Sequence, residues 1–220
     1  MNRRLPRRTT LSLRNRERFL TPGPTGNIEV LFEPVAPEKG PTALLCHPHP
    51  AGGGNLDNKV VVAMARALRE AGYHTLRFNF RGVGASEGTH DGSGAERDDV
   101  RAMLQLARTA AQPEDALLLA GYSFGCWVAL PVAEEDERVV HLIAIGLPLG
   151  LRSFPLGEGG RKPLLVIQGT QDEFGGKDDV LQWASQRPTP PEIVWLETGH
   201  FFHGKLDEVE EAVRAYASRR

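Results

Sequence analysis

Cysteine is nearly absent, with only Cys46 and Cys126 in 220 residues. Two thiols exclude a disulfide-stapled secreted scaffold and fit a reducing compartment, so a cytoplasmic location is expected. Long apolar runs are missing too. No window approaches the ~20 consecutive apolar residues of a membrane-spanning helix, and no membrane partner is expected. Nor does one sign of charge dominate: 26 Lys+Arg face 28 Asp+Glu, a formal net charge of −2 at pH 7. That balance gives no reason to expect nucleic acid as a partner. Internal repeats are absent. What remains, 40% hydrophobic and 25% charged, is an ordinary globular composition, at a length that suits one α/β domain.

Charge is nevertheless uneven along the chain. The opening MNRRLPRRTTLSLRNRER carries seven arginines against one acid and lacks the apolar run of a secretory signal. Residues 1–17 are therefore expected to be a flexible, solvated arginine-rich segment, and residues 18–220 a single domain.

From Arg18 onward short apolar runs alternate with helical stretches. ERFLTPGPTGNIEVLFEPV reads as two strands joined by a Pro/Gly turn, an antiparallel edge. TALLC has the continuous apolar character of a strand buried on both faces. NKVVVAMARALREAG places Val61, Met64, Ala65 and Leu68 on one helical face and stops at Gly72. HTLRFNF alternates Leu76, Phe78 and Phe80 against Thr75, Arg77 and Asn79. The Gly-rich RGVGASEGTHDGSG then leads to a helix carrying Val100, Met103, Leu104 and Ala107, with Glu96 and Asp99 as helix-start residues.

DALLLAG is another buried strand, followed by a helix from SFGCWVAL that Pro131 is expected to kink or end. VVHLIAIG, PLLVIQG and EIVWLE complete the strands, and a helix with Leu206, Val209, Val213 and Tyr216 closes the chain. Strands alternating with helices through short loops imply an α/β fold, a mostly parallel sheet with helices on both faces. In such sheets ligands bind at the carboxyl ends of strands, so the loops after each strand are where chemistry is sought.

DALLLAG runs straight into Gly121-Tyr122-Ser123-Phe124-Gly125 and then a helix, a G-x-S-x-G pattern in strand–turn–helix context. So sharp a turn strains the serine backbone, lifts the Ser123 hydroxyl into the open and aims a helix N-terminus at the reaction centre. A serine hydroxyl is a poor nucleophile until a base takes its proton. Among seven histidines His200 is best placed, in LETGHFF between the last strand and the last helix. An acid must hold that imidazole, and Asp172 follows the strand PLLVIQG directly, with Glu173, Asp178 and Asp179 as rivals. The chain order Ser123, Asp172, His200 is that of an α/β-hydrolase.

These motifs, CHPHPAGGG, NKVV, LRFNFRGVGASEG, GYSFG, IQGTQDE and GHFFHGKL, resemble the small bacterial α/β-hydrolases of the predicted-hydrolase group related to dienelactone hydrolases. The likeness runs from about Thr42 to Leu206. It implies an α/β-hydrolase fold and a serine hydrolase acting on a small-molecule acyl substrate, carboxylesterase-like and without a cofactor. It also implies an oxyanion hole made by the backbone N–H of Phe124 and a second N–H from the loop after TALLC. His47-Pro48 stands where His-Gly occurs in many such enzymes, which makes the His49 N–H the expected donor. Pro48 and Pro50, lacking an N–H, would stiffen that loop. His47, Arg81 and His203 are candidates to line the pocket, and Trp127, Trp183 and Trp195 read as core or pocket-wall aromatics. Cys46 and Cys126 read as buried, inert thiols.

Other chemistries stay in view. A serine peptidase or acyltransferase would use the same residues. A metal-dependent hydrolase would need His47, His49, His200 and His203 as ligands, which leaves Ser123 and Asp172 without roles, and Ala51-Gly52 stand where a binuclear loop wants Asp and His. No metal is therefore assigned. A phosphate loop fails because Asn55-Leu56, not Lys-Ser/Thr, follow the glycines. The segment Gly146 to Pro163 is too short for a large lid domain, which implies an open pocket for small or medium substrates.

Overall fold

The runs TALLC, LLLAGY and LLVIQG become strands because each is buried from both sides. In the computed structural model, which describes residues 5–35, 40–110, 116–154 and 160–219, the elements follow in order. β1 (Glu17–Gly23) and β2 (Gly26–Glu33) form the N-terminal hairpin, followed by β3 (Thr42–Cys46), α1 (Lys59–Glu70) and β4 (His74–Phe78). Next come α2 (Glu96–Ala107), β5 (Leu117–Tyr122), α3 (Phe124–Glu135) and β6 (Val139–Ile145). β7 (Leu164–Gly169), α4 (Lys177–Ser185), β8 (Glu192–Leu196) and α5 (Leu206–Ala217) complete the chain. The strand order is β1-β2-β4-β3-β5-β6-β7-β8. β1 and β2 pair antiparallel, as do β2 and β4, and every other neighbouring pair is parallel. This is an α/β-hydrolase fold with an antiparallel N-terminal edge.

Period-two alternation splits the buried strands between two cores. Leu44, Leu119, Leu142 and Val166 face α2, α3 and α4, whereas Leu45, Leu118, Ile143 and Ile167 face α1 and α5. Each such side chain contributes about 1.5–3 kcal/mol when removed from water, so a one-residue slip in register would exchange the two sets.

Three local expectations need correcting. β4 is buried on both faces, and its polar alternates are buried with it: Thr75, Arg77 and Asn79 are all under 4% exposed. Arg77 can lie there because it donates to Glu33 at 2.9 Å and to the Leu56 carbonyl at 2.6 Å. A charge taken from water needs such partners. Secondly, of a kink or an end at Pro131, the end does not occur: α3 runs on to Glu135. Val128, Ala129, Leu130, Val132 and Ala133 are buried around the proline, and their packing outweighs one missing helical bond, about 3 kcal/mol.

Thirdly, the described part of the arginine-rich segment is not a free tail. Pro6 and Arg8 bond the backbone of Leu20, and Leu11 and Leu13 lie against the core. Its residues 1–4 are outside the described residues, as are 155–159 of the short β6–β7 connection.

Candidate active site

Gly121 and Gly125 set the turn after β5. A Cβ on Gly121 would strike the Cys126 nitrogen at 2.6 Å, and one on Gly125 would overlap the Cys46 carbonyl oxygen. Only glycines let the start of α3 press this closely on β3. Between them Ser123 holds φ +54° and ψ −117°, a left-handed conformation that costs a non-glycine residue about 1–3 kcal/mol. Its N–H donates to the Ile145 carbonyl at 2.9 Å, which fixes the turn to β6. The hydroxyl makes no helix cap. It lies 2.8 Å from His200 Nε2 instead.

His200 comes from the loop after β8 and is held on all sides. Its N–H donates to Glu173 at 3.1 Å and its carbonyl accepts from the Tyr122 hydroxyl at 3.0 Å. The ring stacks on Tyr122 and meets the edge of Phe174. Gly146, at φ +60°, passes so close that a Cβ there would lie 3.1 Å from His200 Cε1. The other ring nitrogen, Nδ1, is 2.9 and 3.0 Å from the Asp172 oxygens. An ionised carboxylate only accepts, so Nδ1 carries the proton and Nε2 is left to accept from Ser123.

Asp172 is 5% exposed and fully engaged. It also accepts from the Phe174 and Gly175 N–H groups and from Gln168 Nε2, at 2.9–3.1 Å. The structure thus joins Ser123, His200 and Asp172 in one hydrogen-bonded line at the carboxyl ends of β5, β8 and β7. The rival acids lie elsewhere. Glu173 holds the His200 backbone, and its own N–H together with that of His200 keeps its carboxyl below the usual range. Asp178 and Asp179 occupy the first turn of α4.

Phe124 is the first residue of α3, where helical N–H groups lack internal acceptors. His49 anchors the turn after β3: the Gly52 and Gly54 N–H groups both donate to its carbonyl, and Ala51 N–H donates to its Nδ1 at 3.2 Å. Among the described residues neither the Phe124 nor the His49 N–H has an acceptor. Both residues line a cavity of about 650 Å³ together with Ser123 and His200. Its remaining walls are mostly apolar, with Pro148, Phe174 and the exposed Leu151 and Phe201 at its edges.

The three pocket candidates stand outside this cavity. His47 is completely buried: its Nε2 accepts the Phe80 N–H at 3.0 Å and its Nδ1 lies 2.7 Å from the Pro48 carbonyl. Burial lowers it to about 4, so it is a neutral brace between the loops after β3 and β4. Arg81 is tied to Asp99, its guanidinium donating at 2.7–3.1 Å and its backbone N–H at 3.0 Å. His203 is exposed, 3.0 Å from Lys59 Nζ.

With both nitrogens of His47 and of His200 engaged, the four histidines do not gather into a ligand set. Among the described residues no three His, Cys, Asp or Glu side chains do. Cys46 and Cys126 are buried, and burial raises both thiols, Cys126 to about 12. Thiols so protonated are poor nucleophiles.

Gln168, Tyr122 and Gly146 escape a reading of the sequence. Gln168 leaves one trace, a polar residue ending an apolar run. The pairing of His90 with Glu96 at 2.6 Å, beside Phe124 and His49, leaves none.

A family model described as an alpha/beta hydrolase domain matches residues 41–212. An alpha-beta serine hydrolase homologue from Coxiella burnetii is 39% identical with a TM-score of 0.84, over 91% of this chain and 96% of that one. A serine hydrolase without a lid from Xanthomonas campestris is 38% identical with a TM-score of 0.84, over 94% and 95%. An uncharacterized protein of Rickettsia prowazekii is 30% identical over 88% of this chain and 85% of its own length.

Proposed function

The chain belongs to the alpha/beta hydrolase domain family, and from that premise we propose that it hydrolyses an ester or related acyl bond through an acyl-enzyme on Ser123. The observation that carries this reading is the 2.8 Å contact from Ser123 Oγ to a histidine whose other nitrogen is bonded to a buried carboxylate. That arrangement deprotonates a serine without any further group. His200 Nε2 takes the Ser123 proton as Oγ attacks the carbonyl carbon, and the oxyanion accepts from the Phe124 and His49 N–H groups, each contributing about 3 kcal/mol. His200 next protonates the departing alcohol. Water then enters, gives its proton to His200 and attacks the acyl-enzyme, and the proton returns to Ser123 as the acid leaves. Asp172 keeps Nδ1 protonated and stabilises the imidazolium. No step requires a cofactor. The two free, buried thiols suit work in the cytoplasm.

Intact-mass labelling with a fluorophosphonate tests the proposal. A single adduct on Ser123 is expected in the wild type, absent from Ser123→Ala and His200→Ala and indifferent to a chelator. Ser123→Ala should remain folded and lose roughly 10⁶-fold in kcat on a simple ester. A fully active Ser123→Ala protein would sink the reading.

A further inference from the structure

His200 is enclosed by Tyr122, Phe174, Phe201 and Gly146. A different group, sharing no residue with this one, surrounds Phe124, the residue after the nucleophile. Its ring meets His49, His90 and Trp127 at 4.9–5.6 Å between centroids, and the Trp127 ring carries the Arg152 guanidinium at 4.4 Å. His200 protonates the leaving group, so the side of Ser123 remote from it receives the acyl half of a substrate.

That remote side is rich in donors with nothing to bond. Ala51 N–H donates into His49 Nδ1, which puts the proton of the neutral ring on Nε2. His90 Nδ1 lies 2.6 Å from Glu96 Oε1 and so carries the proton of the neutral ring; its Nε2, buried with no partner, becomes a donor when an anion beside it draws a second proton onto the ring. Arg152 spends one Nη1 bond on the Gly92 carbonyl, at 3.3 Å. These three side chains converge. The point where a methyl group on Gly92 would sit is 3.7 Å from Arg152 Nη2, 3.8 Å from His49 Nε2 and 3.9 Å from His90 Nε2. Arg97 adds a second guanidinium over Trp127, at 5.0 Å. Two acids lie near: Glu96 is turned to His90, and exposed Asp91 accepts from the Ser93 N–H.

We propose that Arg152, His49 and His90 form an anion-binding subsite beside the nucleophile, and that the substrate carries a carboxylate on its acyl half. The proposal rests on the serine hydrolase reading above. A planar carboxylate fits the fork of a guanidinium, and His49 and Arg152 both line the cavity that holds Ser123. Burial lowers His49, and the nearby Arg152 guanidinium lowers it further, a repulsion that an anion would relieve.

The test compares monoethyl esters of succinic, glutaric and adipic acids with neutral ethyl esters of equal chain length, following product acid by chromatography. At least one half-ester should exceed its neutral counterpart about tenfold in kcat/KM, the gain of one charged hydrogen bond. Arg152→Gln should remove most of that ratio, and Arg152→Lys should keep part of it. In parallel, millimolar glutarate should slow fluorophosphonate labelling of Ser123 where glutaramide does not. Labelling that neither compound slows, or a ratio unchanged in Arg152→Gln, overturns the subsite and leaves the hydrolase reading standing. A folded wild type that takes no label overturns both.

Discussion

At the scale of the residue, His47 shows how position decides chemistry. Read along the chain it is half of a histidine pair; in the fold it is sealed beneath the loop that His49 presents. Its value falls from 6.5 to about 4 because burial penalises the charged ring. Between those limits the unfolded chain binds a proton that the folded chain refuses, so stability is lost as pH drops through 6.5 towards 4. The loss at the foot of that window is about 3 kcal/mol. His47→Gln, measured by urea midpoints at pH 7 and pH 4.5, should therefore lose about 2–3 kcal/mol less over that interval than the wild type. Equal losses would mean that some other group senses the acid.

The residues in the Ser123–His200–Asp172 line could be read from the sequence because each lies in the loop or turn that follows an apolar run, and a strand end is a place that local patterning marks. Gly146, His90 and Arg152 could not. Apart from Glu96, six residues beyond His90, their neighbours lie dozens of residues away, and only the packing of loops from separate strands makes them adjacent.

At the scale of the element, the junction of β5 with α3 is packed backbone against backbone. Gly125→Ala would drive a methyl into the Cys46 carbonyl, an obstacle of backbone that cannot rotate aside. A cost of about 3 kcal/mol or more is expected, together with loss of Ser123 labelling. Gly53→Ala, at φ +80° with open space around it, should cost only about 1 kcal/mol and keep the label. Urea midpoints and intact mass measure both variants, and equal costs would refute the packing argument. Element identities were legible wherever period-two or period-3.6 patterning was strong. Where burial on both faces replaced alternation, as at β4, the sequence concealed how deep the polar residues lie. At Pro131 a local rule gave way to the packing around it.

At the scale of the whole molecule, strand order is the property that periodicity conveys least. Nothing in TALLC or HTLRF says that β3 sits between β4 and β5, although that crossing places the His49 loop beside Ser123. The described part of the β6–β7 connection adds no domain over the cavity, which stays open, with Leu151 63% and Phe201 49% exposed. Hydrolysis of a short-chain triglyceride should accordingly rise smoothly through its solubility limit. A jump there, read by pH-stat, would reveal a cover that moves at an interface.

The sheet also dictates when chemistry becomes possible. Ser123 belongs to a central strand, whereas its acid and base hang from β7 and β8, the last two strands made and the far flank of the sheet. During synthesis the elbow can therefore exist before anything can take its proton. On the proposed mechanism, Ser123 gains its base only when that final strand docks.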